Sequence, residues 1–220
     1  MSDIINLRTR VKMCGTTRLT DAMAAIHCGV DALGFIFYPK SPRYITYLEA
    51  NGIIDRLPMF IDRVGVFVNE EMTELVAAAN AGITYLQLHG SESVEYCQEL
   101  RQKLPSCKLI KAFRVGVKSR AEEFTPYNHC VDGFLLDTYV EGTKGGTGEV
   151  FDWSLIENLE LQLPILLAGG LTPENIVQAI TQVRPYAVDI NSGVESRPGI
   201  KDHHRLHKLM RLVGGSSDVC

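Results

Sequence analysis

A chain of 220 residues with 45% hydrophobic content holds enough apolar side chains for one large domain, and α/β barrels of this size run undivided. Its formal net charge of -4 excludes sequence-independent nucleic-acid binding, which needs a basic stripe or patch. The six cysteines (14, 28, 97, 107, 130 and 220) form no C-x-x-C pair, which excludes a structural zinc site and a disulfide framework and points to free thiols in the cytoplasm.

Along the chain, Met1 to Arg10 lacks the apolar core of a secretory signal, and no later run approaches the roughly 18 apolar residues of a membrane span. Short apolar, β-branched runs then recur at 11–14, 32–37, 63–68, 84–89, 108–114, 133–137, 164–168 and 186–190, and each is expected to be a strand. Helical patterns separate them: 21–28 has Ala22, Ala25 and Ile26 on one face, and 70–81 opens with acids and ends before Gly82. A third helix is expected over 91–104 with Ser91 as its cap, and a fourth over 173–183 with Thr172 as cap and Pro173 at the first helical position. The stretch after Arg114 carries the weakest helical pattern.

Strands alternating with helices call for parallel pairing with the helices outside. Eight such units predict a single (β/α)8 TIM barrel as one domain over 1–220, with the barrel at about 10–213 and a flexible tail at 214–220. No G-x-G-x-x-G follows the first strand, so the dinucleotide-binding alternative lacks its fingerprint. The barrel exterior carries no obvious apolar surplus, and a monomer or weak homodimer is expected.

Barrel chemistry sits at the C-terminal ends of the strands. Here those ends carry Cys14, the run Gln87-Leu88-His89, Asp137, Gly169-Gly170, and the run Asp189-Ile190-Asn191-Ser192-Gly193. With Leu86, Leu88 and Leu136 packed outward, period-two alternation turns Gln87, His89 and Asp137 into the barrel. A core histidine and a hydrogen-bonded filler are the alternatives for His89 and Gln87; their shared parity at one strand end favours a ligand site. Gly169-Gly170 and Ser192-Gly193 fall in the last two βα loops, where glycine lets backbone N–H groups reach a phosphate. The 144–148 run, Lys-Gly-Gly-Thr-Gly, lacks the order of a nucleotide loop; it is either a mobile loop that folds over a substrate or an ordinary flexible loop. Arg43, in Ser41-Pro42-Arg43, offers a planar fork suited to a carboxylate, or is a solvated surface arginine. Lys12 shares the parity of Cys14 and lies beneath it in the barrel; it either tunes the thiol or pairs with a buried Asp189, and the structural pairing is the one expected.

Taken together, Val11-Lys12-Met13-Cys14-Gly15, Ser41-Pro42-Arg43, Val64-Gly65-Val66-Phe67-Val68-Asn69, Leu86-Gln87-Leu88-His89-Gly90, Leu135-Leu136-Asp137-Thr138 and Gly145-Gly146-Thr147-Gly148 resemble the phosphoribosylanthranilate isomerase family of tryptophan biosynthesis. So do Leu167-Ala168-Gly169-Gly170-Leu171 and Ser192-Gly193-Val194-Glu195. One departure is Asn191, where the family commonly has serine. The resemblance implies an Amadori rearrangement of a phosphorylated aminosugar, with Cys14 as general base and Asp137 as general acid. Arg43, Gln87 and His89 would then contact substrate, and Gly146, Gly169, Gly170, Ser192 and Gly193 the phosphate. No metal or organic cofactor is required, and neither nucleic acid nor membrane is a partner. Those roles ask the thiol to ionise more readily than usual and the carboxyl less readily. Two other readings are a histidine-pathway isomerase and a non-catalytic barrel. The first resembles a duplicated half-barrel with aspartate in place of Cys14; the second is expected to have lost Cys14 or Asp137.

Overall fold

A computed structural model describes residues 8–138 and 152–214. Eight parallel strands close into a barrel in chain order: β1 (Arg10–Met13), β2 (Ala32–Ile36), β3 (Asp62–Phe67), β4 (Tyr85–Leu88), β5 (Lys108–Arg114), β6 (Gly133–Asp137), β7 (Ile165–Ala168) and β8 (Ala187–Ile190). Closure runs through β1 on β8, from Arg10 opposite Ala187 to Met13 opposite Ile190. All eight expected strands are present, and no boundary moves by more than one residue.

Parallel strands buried on both faces need apolar side chains on both, hence the near-continuous apolar runs. One face of each packs under the helices in a core that includes Met13, Phe35, Phe67, Leu86, Leu88, Phe134, Leu136 and Val188. The other face fills the barrel with Ile110, Ala112, Leu135, Leu166, Ala168 and Ala187, against Tyr85. Leu135 inside and Leu136 outside is the parity expected of β6, and it turns Asp137 inward.

Seven helices surround the described barrel: α1 (Leu19–His27), α2 (Tyr47–Ile54), α3 (Met72–Asn80), α4 (Val94–Lys103), α5 (Ser154–Glu157), α6 (Ile176–Val183) and α7 (His203–Val213). The cap of α4 is Ser93, whose hydroxyl accepts from Tyr96 N at 3.2 Å, rather than Ser91. Ser91 is taken by Asn69 Oδ1, which accepts from its N–H at 2.7 Å. Helix α6 begins three residues later than expected. Asn175 accepts from Thr172 N at 2.8 Å and donates to Gly170 O at 3.0 Å, which closes a separate turn first.

After β5 only two 3-10 turns form, Ala121–Glu123 and Thr125–Tyr127, the second with Pro126 as its second residue. Phe113, Phe124, Tyr127 and Phe134 pack there with ring centroids 4.5–5.7 Å apart, covering the sheet where a helix would lie. Helices α2, α5 and α7 extend the expected set, α2 opening on a Thr46–Glu49 capping box and α7 on an Asp202 cap. Between β8 and α7 stands an antiparallel hairpin, β9 (Glu195–Arg197) with β10 (Ile200–Lys201).

The exterior is less uniformly polar than expected, because Leu48, Met59 and Phe60 are 83%, 81% and 96% exposed. Phe60 is also held at φ 66°, a conformation unusual for a bulky residue. Gly146 with its 144–148 loop, and the tail from 215, lie outside the described residues. No helix among those described is long and apolar enough to cross a membrane.

Candidate active site

The C-terminal ends of the strands enclose a cavity of about 300 Å³. Cys14, Gln87, His89, Asp137 and Asp189 line it as polar groups, Gly169, Gly170, Ser192 and Gly193 as loop backbone, and Ile36, Tyr38, Val66 and Val68 as an apolar wall. Eight of the expected site residues thus meet in one place. Arg43 stands beside it, and Gly146 lies outside the described residues.

Cys14 is 4% exposed, and its N–H continues the β1 ladder to Ile190 O at 2.8 Å. A glycine opposite makes room for it: a Cβ on Gly34 of β2 would stand 2.9 Å from Cys14 Sγ and 3.1 Å from Lys12 Cε. Beneath the thiol, Lys12 Nζ donates to Asp189 Oδ2 at 2.8 Å, the pairing expected from the sequence. Burial pushes the Cys14 thiol up, against the pull of the Lys12 ammonium. The downward move asked of a base is therefore not what the resting site imposes. Burial also works against the charge on Lys12, but the Asp189 carboxylate and Cys14 outweigh it and raise the ammonium.

On β4 and its loop, Gln87 Nε2 lies 2.9 Å from His89 Nδ1. Burial lowers the His89 pKa, so its ring is neutral near neutral pH. With the Gln87 amide donating to Nδ1, the ring proton sits on Nε2, which faces Asp137 Oδ2 at 3.9 Å. The histidine is thus presented to the carboxyl at the end of β6 as a neutral donor.

Arg43 is already held by protein. Its Nε donates to Glu195 Oε1 at 2.9 Å and its Nη2 to Glu195 Oε2 at 2.7 Å, while Lys201 Nζ donates to Glu195 Oε1 at 2.9 Å. Burial alone would raise the Glu195 carboxyl, but Arg43 and Lys201 hold it below its usual range. The arginine stem lies over Gly15, where a Cβ would stand 2.7 Å from Arg43 Cδ, next to Cys14 in the chain. Glu195 occupies the Nε edge of the guanidinium, and the planar group has a second edge. Asn191 Oδ1 accepts from Lys201 Nζ at 3.0 Å, which ties the phosphate-suited loop to the same cluster.

Loops seven and eight are packed to backbone contact. A Cβ on Gly193 would fall 1.8 Å from Leu171 O, so only glycine lets the two loops close together. Gly169 and Gly170 sit at φ 96° and 61°. Three contributors had escaped sequence reasoning. Gly34 carried a signal, because glycine inside a strand marks close backbone approach. The Glu195–Lys201 support of Arg43 and the apolar wall from β2 and β3 carried none that a single sequence displays.

A closed parallel barrel whose mouth joins a thiol, a carboxyl and glycine-lined loops defines the class: a (β/α)8-barrel site for a small phosphorylated molecule, equipped for proton transfer. A profile of the N-(5'phosphoribosyl)anthranilate (PRA) isomerase family matches residues 11–211. The N-(5'-phosphoribosyl)anthranilate isomerase of Pseudomonas syringae pv. tomato is 48% identical over 208 residues, 94% of this chain and 98% of that one. The phosphoribosyl anthranilate isomerase crystal structure from Thermotoga maritima matches with a TM-score of 0.85 at 42% identity, covering 94% of this chain and 98% of that one. Another phosphoribosyl anthranilate isomerase, in complex with reduced 1-(o-carboxyphenylamino)-1-deoxyribulose 5-phosphate, matches with a TM-score of 0.82 at 40% identity and the same coverage. The chain belongs to the N-(5'-phosphoribosyl)anthranilate isomerase family.

Proposed function

We propose that the chain isomerises N-(5-phospho-β-D-ribosyl)anthranilate to 1-(2-carboxyphenylamino)-1-deoxy-D-ribulose 5-phosphate, the Amadori step of tryptophan biosynthesis. The observation that carries this reading is the joint lining of one cavity by Cys14, Asp137 and the glycine loops, in a chain of this family. The phosphate sits on the Gly169-Gly170 and Ser192-Gly193 backbone. The aromatic ring lies against Ile36, Val66 and Val68, with its carboxylate on the second edge of Arg43.

Asp137 gives a proton to the furanose ring oxygen, and the C1–O bond breaks to leave a protonated Schiff base. Gln87 and His89 orient that carboxyl and the sugar hydroxyls. Cys14, as thiolate, then takes the C2 proton: the C–H bond breaks, S–H forms, and the electron pair moves toward nitrogen to give the enolamine. Tautomerisation yields the ketone, and no atom is gained or lost. Cys14, Cys97, Cys107 and Cys130 are thiols outside any disulfide among the described residues, which supports a cytoplasmic setting, and the exposed Met59 and Phe60 favour a homodimer over a monomer.

The test follows the loss of substrate fluorescence with purified protein. Wild type turns over, and Cys14→Ala and Asp137→Asn each lose about 10²-fold or more in kcat with an unchanged circular dichroism spectrum. Full activity in either variant removes that residue's role. No turnover by wild type returns the chain to a non-catalytic barrel.

A further inference from the structure

We propose that the buried Lys12–Asp189 pair serves the proton transfer at Cys14, with Lys12 the cation that a Cys14 thiolate faces and Asp189 the anion that holds Lys12 in place. This rests on Cys14 being the base, and both partners are positioning residues.

Register places the groups. Lys12 and Asp189 are Cα partners across β1 and β8, and Cys14 is the next inward position above Lys12. Sγ and the Lys12 side chain both lie over Gly34, which has no side chain to separate them. Lys12 and Asp189 are 2% and 8% exposed, so water screens their fields little.

The pair is also incompletely satisfied. Asp189 Oδ2 accepts from Lys12, whereas Oδ1 is buried and makes no hydrogen bond among the described residues. A pair kept only for packing is matched or bettered by apolar side chains of similar volume, and a spare buried acceptor adds a desolvation cost. Here the cost falls beside the thiol, in a wall of the ligand cavity.

Of the other charged groups around Cys14, Lys201 also favours a thiolate, more weakly than Lys12 does. Lys201 is bound to Glu195 and Asn191, and Arg43 to Glu195. His89 and Asp137 face the thiol from across the cavity, 3.9 Å from each other. Lys12 favours the thiolate and Asp189 disfavours it, so removing them has opposite effects. With Asp189 neutralised, a thiolate becomes the anion left to the buried ammonium.

The experiment measures alkylation of Cys14 by iodoacetamide against pH, with the modified residue identified by mass spectrometry. Lys12→Met moves the midpoint up by about 1 unit or more, slowing alkylation about tenfold below it. Asp189→Asn moves it down, and Lys12→Arg, which keeps the charge, stays near wild type. The double variant K12M/D189N, charge-balanced and near-isosteric, falls between the singles and provides a folded reference if K12M alone is unstable. The pH profile of kcat follows the same order. Shifts of the two single variants in one direction, or a K12M/D189N midpoint no different from that of D189N alone, overturn the proposal. Ordered alkylation shifts alongside full activity in Cys14→Ala would instead leave the thiol tuned and remove its role as base.

Discussion

Gly34 shows how a residue with no side chain shapes the reactive one. Its missing Cβ is the space in which Cys14 Sγ and the Lys12 stem lie, at 2.9 and 3.1 Å from where that carbon would be. Gly34→Ala therefore displaces the thiol, and a misplacement of about 1 Å costs on the order of 10²-fold in turnover. Steady-state kinetics on a variant with native circular dichroism checks this, and wild-type kcat would mean that the sulfur is not held against β2. Arg43 carries two duties at once. Arg43→Ala is expected to raise KM about tenfold, by removing the carboxylate contact. It also lowers stability by about 2 kcal/mol, because Glu195 loses one of its two cations. A stability loss with KM unchanged would leave Arg43 a purely structural partner of Glu195.

At the scale of elements, the loop that carries His89 is clamped from beneath. Lys111 of β5 donates to Gly90 O at 2.8 Å and pairs with Glu92 Oε2 at 3.1 Å, both side chains being 3% exposed or less. Glu92 in turn accepts from Asn69 N at 2.9 Å and Gly90 N at 3.0 Å. Lys111→Met leaves the buried Glu92 carboxylate without its cation and should cost about 3–5 kcal/mol by urea denaturation, with a loss under 1 kcal/mol counting against the clamp. Nothing in the sequence announced it, because the partners come from separate elements and neither makes a local motif. The strands were legible because burial on both faces demands apolar runs. The parity of Gln87, His89 and Asp137 followed from the leucines beside them. Cap positions were less legible: Ser91 and Ser93 are equally good acceptors by type, and only Asn69, 22 residues earlier, decides between them. Arg43 with Glu195, 152 residues apart, was out of reach for the same reason.

Across the whole molecule, three buried or half-buried carboxylates tie distant parts of the barrel together. Asp21 joins α1 to α7 through Arg18 and His203, Asp132 binds Arg101 of α4 and Lys108 of β5, and Glu195 binds Arg43 and Lys201. Burial would raise each carboxyl, but the hydrogen bonds and cations around it outweigh burial and lower it. A carboxyl whose folded pKa is depressed stabilises the fold above its unfolded value, about 4, and loses that contribution as pH falls through the folded value. Asp62 has the opposite sign: burial raises it, so protonation relieves a strain. Three ties against one make the barrel acid-labile, with the thermal midpoint falling as pH drops from about 5 toward about 2. Asp21→Asn separates this from a general charge effect. The variant is less stable than wild type near neutrality, and its curve flattens in acid, where the Asp21 of wild type is itself protonated. Parallel thermal curves for the two proteins through that window would show that Asp21 does not carry the linkage. Convergence in acid would place part of the barrel's closure, α1 against α7, on one buried carboxylate.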